Sequence, residues 1–331
     1  MSERRHDVVG IGNAIVDVIS QEQEEFIAEH GLVRGAMTLI DAERATKLYA
    51  MMAPAIETSG GSAANTVAGL ASFGADVAYI GKVRDDQLGE VFAHDIRAVG
   101  VGFDVAPGTE GPPTARCLIV VTPDAARTMN TFLGISSHLH PDDIDTALVE
   151  SAQVLYCEGY IWDIELTKTA IRKAVDAARA AGKKVSFTLS DSFCVERHHD
   201  EWLELVDGPI DILFGNAAEI ATLYGTDDFD EAVDIVQGRC EVTCLTRGPA
   251  GSVIITPDRV LEIAAEPVDH VVDTTGAGDL YASGFLYGYT RGLDLETCGR
   301  LASIAAAEII SHVGARPAVP LSTLAKDLLG S

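Results

Sequence analysis

The run Asp273-Thr274-Thr275-Gly276-Ala277-Gly278-Asp279 carries two kinds of chemistry side by side. Gly276 and Gly278 leave backbone N–H groups unshielded where LYASGFLYGYTRG begins a helix. Unpaired N–H groups at a helix start, reinforced by the helix dipole, make a cradle for an anion at Gly276, Ala277 and Gly278. Asp279 falls in the first turn beside that cradle, where an idle carboxylate would repel a phosphate. It has a task there if it accepts the proton of a hydroxyl that attacks a phosphoryl group. The alternative is a Gly-rich turn whose aspartate complements the helix dipole. A second run, Gly60-Gly61-Ser62-Ala63-Ala64-Asn65, also opens a helix. Gly60 and Gly61 permit close backbone approach to a ligand. Asn65, one turn further in, offers a donor and an acceptor to a vicinal diol; alternatively Ser62 is an N-cap and Asn65 faces solvent. Asn13 and Asp17 lie four apart on a strand and share a face.

The elements that must position these groups alternate from about residue 62 onward. Helical patterns at 62–73, 85–100, 164–181, 216–225, 277–291 and 294–312 interleave with strand patterns at 76–83, 154–159, 184–190, 211–215 and 242–248. Such alternation predicts an α/β fold whose mostly parallel central sheet is covered on both faces. Two stretches, 14–41 and 106–132, are strand-like with turn residues and do not fit between crossovers. They predict a small β-rich lid. With no linker or repeat in sight, residues 1–331 are expected to form a single α/β domain.

Several functions are disfavoured. Gly10-x-Gly12 follows a strand but continues into another strand pattern, so the helix of a dinucleotide fingerprint is missing. A Walker A loop is absent. Asp plus Glu number 50 against 24 Lys plus Arg, a formal net charge of −26, which argues against nucleic acid or an anionic membrane as partner. The N-terminus shows no apolar leader and no run reaches membrane-span length. The six scattered cysteines contain no CxxC and read as free thiols of a cytoplasmic protein.

GGSAANTVAGLASFG and DTTGAGDLYASGF resemble the two signatures of the PfkB, or ribokinase-like, family of sugar and nucleoside kinases. GIGNAIVD, NAAE and the order of all four agree, over about residues 7–317. The resemblance implies a ribokinase-like three-layer sandwich with a small β-rich lid, and ATP with Mg²⁺ as cofactors. Asp279 would be the catalytic base and the 276–278 backbone the anion hole. Asn216 and Glu219 match the family's NxxE motif, which orders Mg²⁺ and its waters; an i,i+3 pair at a helix start faces one way, and an exposed helix start is the alternative. Thr246, Gly248 and Gly251 match the nucleotide-side TxGxxG turn. Activation by K⁺ bound near Asp273 and Thr275 is common in the family.

Within the family the sequence is most similar to adenosine kinases. The resemblance places Asn13, Asp17, Gly61 and Asn65 in the substrate site and makes Arg127 a lid arginine able to reach the transferred phosphate, with a surface arginine as the alternative. Met129, Thr131 and Leu133 alternate on its strand and could wall the base. Tyr160 or Phe193 could stack on a purine, or pack in the core. Thr188 stands where adenosine kinases have Asn, and Met37 replaces a polar lid residue. The expected activity is ATP-dependent phosphorylation of a primary hydroxyl on a ribose-like substrate, foremost adenosine. The alternatives are a kinase of ribose, fructose or a keto-deoxy sugar acid, and a non-catalytic nucleoside- or sugar-binding protein. The chain is expected to be a monomer or a homodimer.

Overall fold

The computed structural model describes residues 6–124 and 126–329. The chain ends at 1–5 and 330–331, and residue 125 of the second lid segment, lie outside the described residues. Among the described residues thirteen strands form: β1 (His6–Ile11), β2 (Ile15–Gln21), β3 (Met37–Leu39), β4 (Ile56–Gly60), β5 (Val77–Ile80), β6 (Ala115–Val121), β7 (Arg127–Phe132), β8 (Ala152–Glu158), β9 (Lys184–Thr188), β10 (Ile212–Asn216), β11 (Val242–Thr246), β12 (Ser252–Thr256) and β13 (Arg259–Ile263). Eight make the main sheet, in the order β13-β12-β11-β10-β9-β8-β1-β5. It is parallel from β11 to β5, with β12 and β13 antiparallel at one edge.

Period-two alternation sends side chains to two separate cores. Val8, Tyr79, Tyr156, Phe214 and Cys244 pack on one face, against the helices Ser62–Phe73, Ala277–Thr290 and Leu295–Ile310. Val9, Ile11, Leu155, Leu213 and Leu245 pack on the other, against Glu165–Ala180, His199–Val206 and Ala217–Tyr224. The result is a three-layer α/β sandwich, as the alternation predicts. The ends of β1, β8, β9, β10 and β11 that carry Asn13, Glu158, Thr188, Asn216 and Thr246 lie along one margin of the sheet, the carboxyl margin where open α/β sheets bind ligands. The first-face helices approach closely because small residues meet there. A Cβ on Gly69 would lie 2.5 Å from Ser283 Oγ and 2.6 Å from a Leu280 methyl. That contact draws the starts of the Ser62–Phe73 and Ala277–Thr290 helices together.

The second sheet, in the order β3-β7-β6-β2-β4, takes four strands from the two segments expected to form a lid. The structure corrects that expectation in two respects. A short helix, Glu24–Glu29, interrupts the first segment; it buries only Ile27, too little to show helical periodicity. β4 is an additional, largely polar strand, pairing antiparallel with β2 from Ile19↔Ile56 to Ile15↔Gly60, and it delivers the chain to the Gly60-Gly61 turn. All six cysteines are free and buried. No helix among the described residues is long and apolar enough to cross a membrane.

Candidate active site

The two glycine-rich helix starts converge on one carboxylate. Ser62 Oγ donates to Asp279 Oδ1 at 2.6 Å and Asn65 Nδ2 donates to Asp279 Oδ2 at 2.9 Å. The N-cap alternative for Ser62 and the solvent-facing alternative for Asn65 both fail. The N-cap is Gly61, at φ 97°, a left-handed conformation that favours glycine; Ser62 is the first helical residue, and Asn65 is buried at 4% exposure. Burial raises the Asp279 carboxyl above its ordinary range, opposed by its bonds from Ser62 and Asn65 and by the charge of Arg316. A carboxylate so placed accepts a proton more readily than one in water.

Around it lie polar atoms without protein partners. Asn13 is 2% exposed, and its Nδ2 is buried and unbonded, as is Asn65 Oδ1. Asp17 lies against Gly60, where a Cβ would sit 2.4 Å from its Oδ2. Desolvation pushes Asp17 up to about 6 against the charges of Arg127 and Arg316, with Asp279 adding to the rise. Asn13, Asp17, Gly61 and Asn65, the substrate residues expected from sequence, are thus gathered near Asp279.

The expected anion cradle begins at Gly276, in the left-handed region at φ 78°. Thr275 N donates to Asp273 Oδ1 at 3.0 Å, setting the turn. The Ala277 N–H points to Thr274 O at 3.2 Å, so of the three expected donors it is the one already engaged. A Cβ on Gly278 would meet nothing within 4 Å; that side is open. Arg127, at the start of β7, is not a surface arginine. Its guanidinium pairs with Asp273, which also accepts from Gly314 N at 3.1 Å. The second sheet is thereby tied to the loop before the cradle. Met129 is half-buried and in register with Met37 of β3; Thr131 is buried, and Leu133 lies just past β7.

On the other side of Asp279, Asn216 caps the Ala217–Tyr224 helix, accepting from Ala218 N and Glu219 N. Glu219 returns the favour, accepting from Asn216 N at 3.0 Å and Asn216 Nδ2 at 2.5 Å. It is 6% exposed, so the exposed-helix-start alternative fails. Burial, with Asp191 and Asp279 nearby, pushes Glu219 up to about 7. A cavity of about 470 Å³ is lined by Asn216, Thr246, Arg247, Gly248 and Phe229 among others, and Gly251 closes the turn at φ 81°. Tyr160 OH donates to Ser190 O at 3.2 Å, and the fields of Asp279 and Glu219 reach it. Phe193 is 69% exposed, which excludes core packing for it. Thr188 Oγ1 accepts from Ser190 N at 3.3 Å.

No group of three or more His, Cys, Asp or Glu suited to hold a metal occurs among the described residues. Glu219 and Asn216, with the carboxylates of Asp191 and Asp279 nearby, fit an ion that keeps most of its water and is held largely by nucleotide phosphates, as Mg²⁺ is. Two residues of the site were not singled out in the sequence. Glu158, at the end of β8, accepts from Asn13 N and Ala63 N, each at 2.7 Å. Arg316 donates to Ser59 O, Ser59 Oγ and Ala64 O. The only local hints were an acid beside a strand-end glycine, Cys157-Glu158-Gly159, and an arginine between Gly314 and Pro317.

A buried carboxylate beside an open helix start at the carboxyl margin of a parallel sheet suits an enzyme that phosphorylates a hydroxyl. The chain belongs to the pfkB family of carbohydrate kinases, whose model matches residues 37–321. An adenosine kinase from Sinorhizobium meliloti is similar in structure, with a TM-score of 0.92 and 49% identity, covering 98% of this chain and 99% of its own. A probable sugar kinase from Rhizobium etli matches with a TM-score of 0.92 and 48% identity, covering 98% of each chain. A 5-dehydro-2-deoxygluconokinase of Shouchella clausii is 30% identical over 279 residues, 82% of this chain and 86% of its own length. The protein is therefore an ATP-dependent kinase of a small sugar or nucleoside.

Proposed function

We propose that the enzyme transfers the γ-phosphoryl group of ATP to the 5′-hydroxyl of adenosine, giving AMP and ADP. The observation that carries a polyol substrate is the buried, unpartnered pair Asn13 Nδ2 and Asn65 Oδ1, with the Asp17 carboxylate, around Asp279. Buried polar groups are ordinarily bonded; a donor, an acceptor and a carboxylate left over beside the base suit the hydroxyls of a ribose. The similarity to the S. meliloti adenosine kinase over nearly the whole chain supports the nucleoside.

In this reading the ribose is held by Asn13, Asp17 and Asn65, with its primary hydroxyl on Asp279. Asp279 takes the proton as the new O–P bond forms, and the bond from the γ-phosphorus to the β,γ-bridging oxygen breaks, with ADP leaving. The backbone N–H groups of Gly276 and Gly278 receive the charge on the equatorial oxygens. Mg²⁺, placed by Asn216 and Glu219, would supply charge neutralisation on the phosphates. Thr246, Gly248 and Gly251 border the nucleotide, Thr275 sets the turn that presents the cradle, and Met129 and Tyr160 flank the base of the nucleoside. The second sheet acts as a lid, and Arg127 is the lid residue nearest the transferred group; closure keeps out water that would hydrolyse ATP.

The second reading is a sugar-acid kinase, favoured by the 30% identity to a 5-dehydro-2-deoxygluconokinase. Thermal shift with adenosine, ribose, fructose and 5-dehydro-2-deoxygluconate, followed by ATP turnover with each, separates the two. A shift and turnover confined to adenosine supports the first reading. Turnover of the sugar acid without turnover of adenosine overturns it.

A further inference from the structure

The helix that holds the base has no cap of its own. Its N-cap is Gly61, which has no side chain to satisfy the first N–H groups. The Ala63 N–H is instead taken by Glu158 Oε2, from a strand 95 residues away in sequence, at 2.7 Å. The other oxygen of the same carboxylate takes the N–H of Asn13 at 2.7 Å. Glu158 is 1% exposed, and a carboxylate is buried at high cost unless bonded. One buried carboxyl group therefore sets the spacing between the turn that carries Asn13 and the helix start that carries Ser62 and Asn65. Arg316 grips the same helix start from the C-terminal loop. Its Nε and Nη2 donate to Ser59 O and Ser59 Oγ, each at 3.2 Å, and its Nη1 donates to Ala64 O. The charge of Arg316 also acts on both Asp17 and Asp279.

We propose that Glu158 and Arg316 are positioning residues for phosphoryl transfer, a pair of buried clamps that fix the Ser59–Asn65 segment so that Ser62 and Asn65 hold Asp279 in line for the acceptor hydroxyl. The proposal rests on the assignment of Asp279 as the base. Neither clamp touches the reacting atoms. A stabilising role alone would lower the melting temperature and leave turnover per folded molecule unchanged; a positioning role lowers kcat, because misplacement by about 1 Å can cost 10²-fold.

The test uses Glu158→Gln, which keeps size and shape but loses one acceptor oxygen, and Arg316→Lys, which keeps charge but loses the fork. The first arm needs no substrate. In NMR spectra of the full-length deuterated protein, Glu158→Gln should reduce exchange protection of the Asn13 and Ala63 backbone amides and shift the Asn65 side-chain amide that reports its bond to Asp279. In the second arm, with the acceptor found by turnover, kcat should fall roughly 10–10²-fold in both variants while KM for ATP stays near wild type. An unmoved Asn65 side-chain amide overturns the proposal, and so does a loosened clamp with wild-type kcat. If no acceptor is turned over by the wild-type protein, the proposed activity fails and the first arm alone decides the clamp.

Discussion

Asp279 is balanced between burial, which favours its protonated form, and two donors that favour the carboxylate. Replacing it with Asn removes the acceptor and leaves the shape. Asp279→Asn should lower kcat roughly 10²–10⁴-fold while calorimetry still detects substrate binding; turnover near wild type would remove Asp279 from the role of base. The neighbouring carboxyls make a prediction about pH. Asp17 is pushed from 3.8 to about 6 and Glu219 from 4.5 to about 7, both chiefly by desolvation. Each binds a proton more tightly folded than unfolded. Its contribution to stability is therefore complete below the unfolded value near pH 4 and is lost as pH rises through the folded value at 6 to 7. Asp17→Asn and Glu219→Gln cannot ionise. Without ligand they should match the wild type at acid pH and exceed it in stability by a margin that grows toward pH 7.5. Urea midpoints across that range measure the margin; one that shrinks with pH contradicts the assigned shifts.

Helix contacts make two glycines of the Ala277–Thr290 helix behave oppositely. A Cβ on Gly284 would lie 2.4 Å from Leu301 O, a backbone atom of the adjacent helix that no rotamer change can move. Gly284→Ala should cost about 1–3 kcal/mol in urea unfolding. A Cβ on Gly278 would meet open space. Gly278→Ala should leave stability within about 0.5 kcal/mol and instead impair turnover, because the methyl group stands where phosphate oxygens reach the cradle. Equal destabilisation of the two variants would refute this distinction. The same contrast explains what the sequence disclosed. Long periodic elements such as 62–73 and 164–181 appear within a residue or two of their reading, because one apolar face and a closing glycine specify each locally. The two chemical motifs were legible because each sits within a few residues of a helix start. The helix Glu24–Glu29 was not, since it buries only Ile27, and strand β4 was not, since its pairing with β2 rather than its pattern makes it. Glu158, Arg316 and the bond from Ser62 to Asp279 escaped because each joins residues 95 to 257 apart in the chain.

At the scale of the molecule, an anionic substrate meets a chain of net charge −26. A protein that gathers phosphates with a basic patch attracts ATP at long range, and salt weakens that attraction. In the proposed site the phosphates instead meet the backbone N–H groups of Gly276 and Gly278, Asn216 with Glu219, and the turn at 246–251. Arg127 is already paired with Asp273, and Arg316 is bonded to Ser59 and Ala64. Short-range donors hold a bound phosphate but do little for one tens of ångströms away, whereas the net charge acts at that range. The Debye length is about 30 Å at 0.01 M ionic strength and about 8 Å at 0.15 M. Across that interval salt should screen repulsion more than attraction. The value of kcat/KM for MgATP is therefore expected to rise with ionic strength, the reverse of a basic phosphate site, and the thermal midpoint should rise with it as self-repulsion of the folded state is screened. Tetramethylammonium chloride, added at fixed K⁺ and Mg²⁺, varies ionic strength without changing the supply of specific cations. A fall in kcat/KM over the same interval would mean that a local positive field at the site outweighs fifty carboxylates.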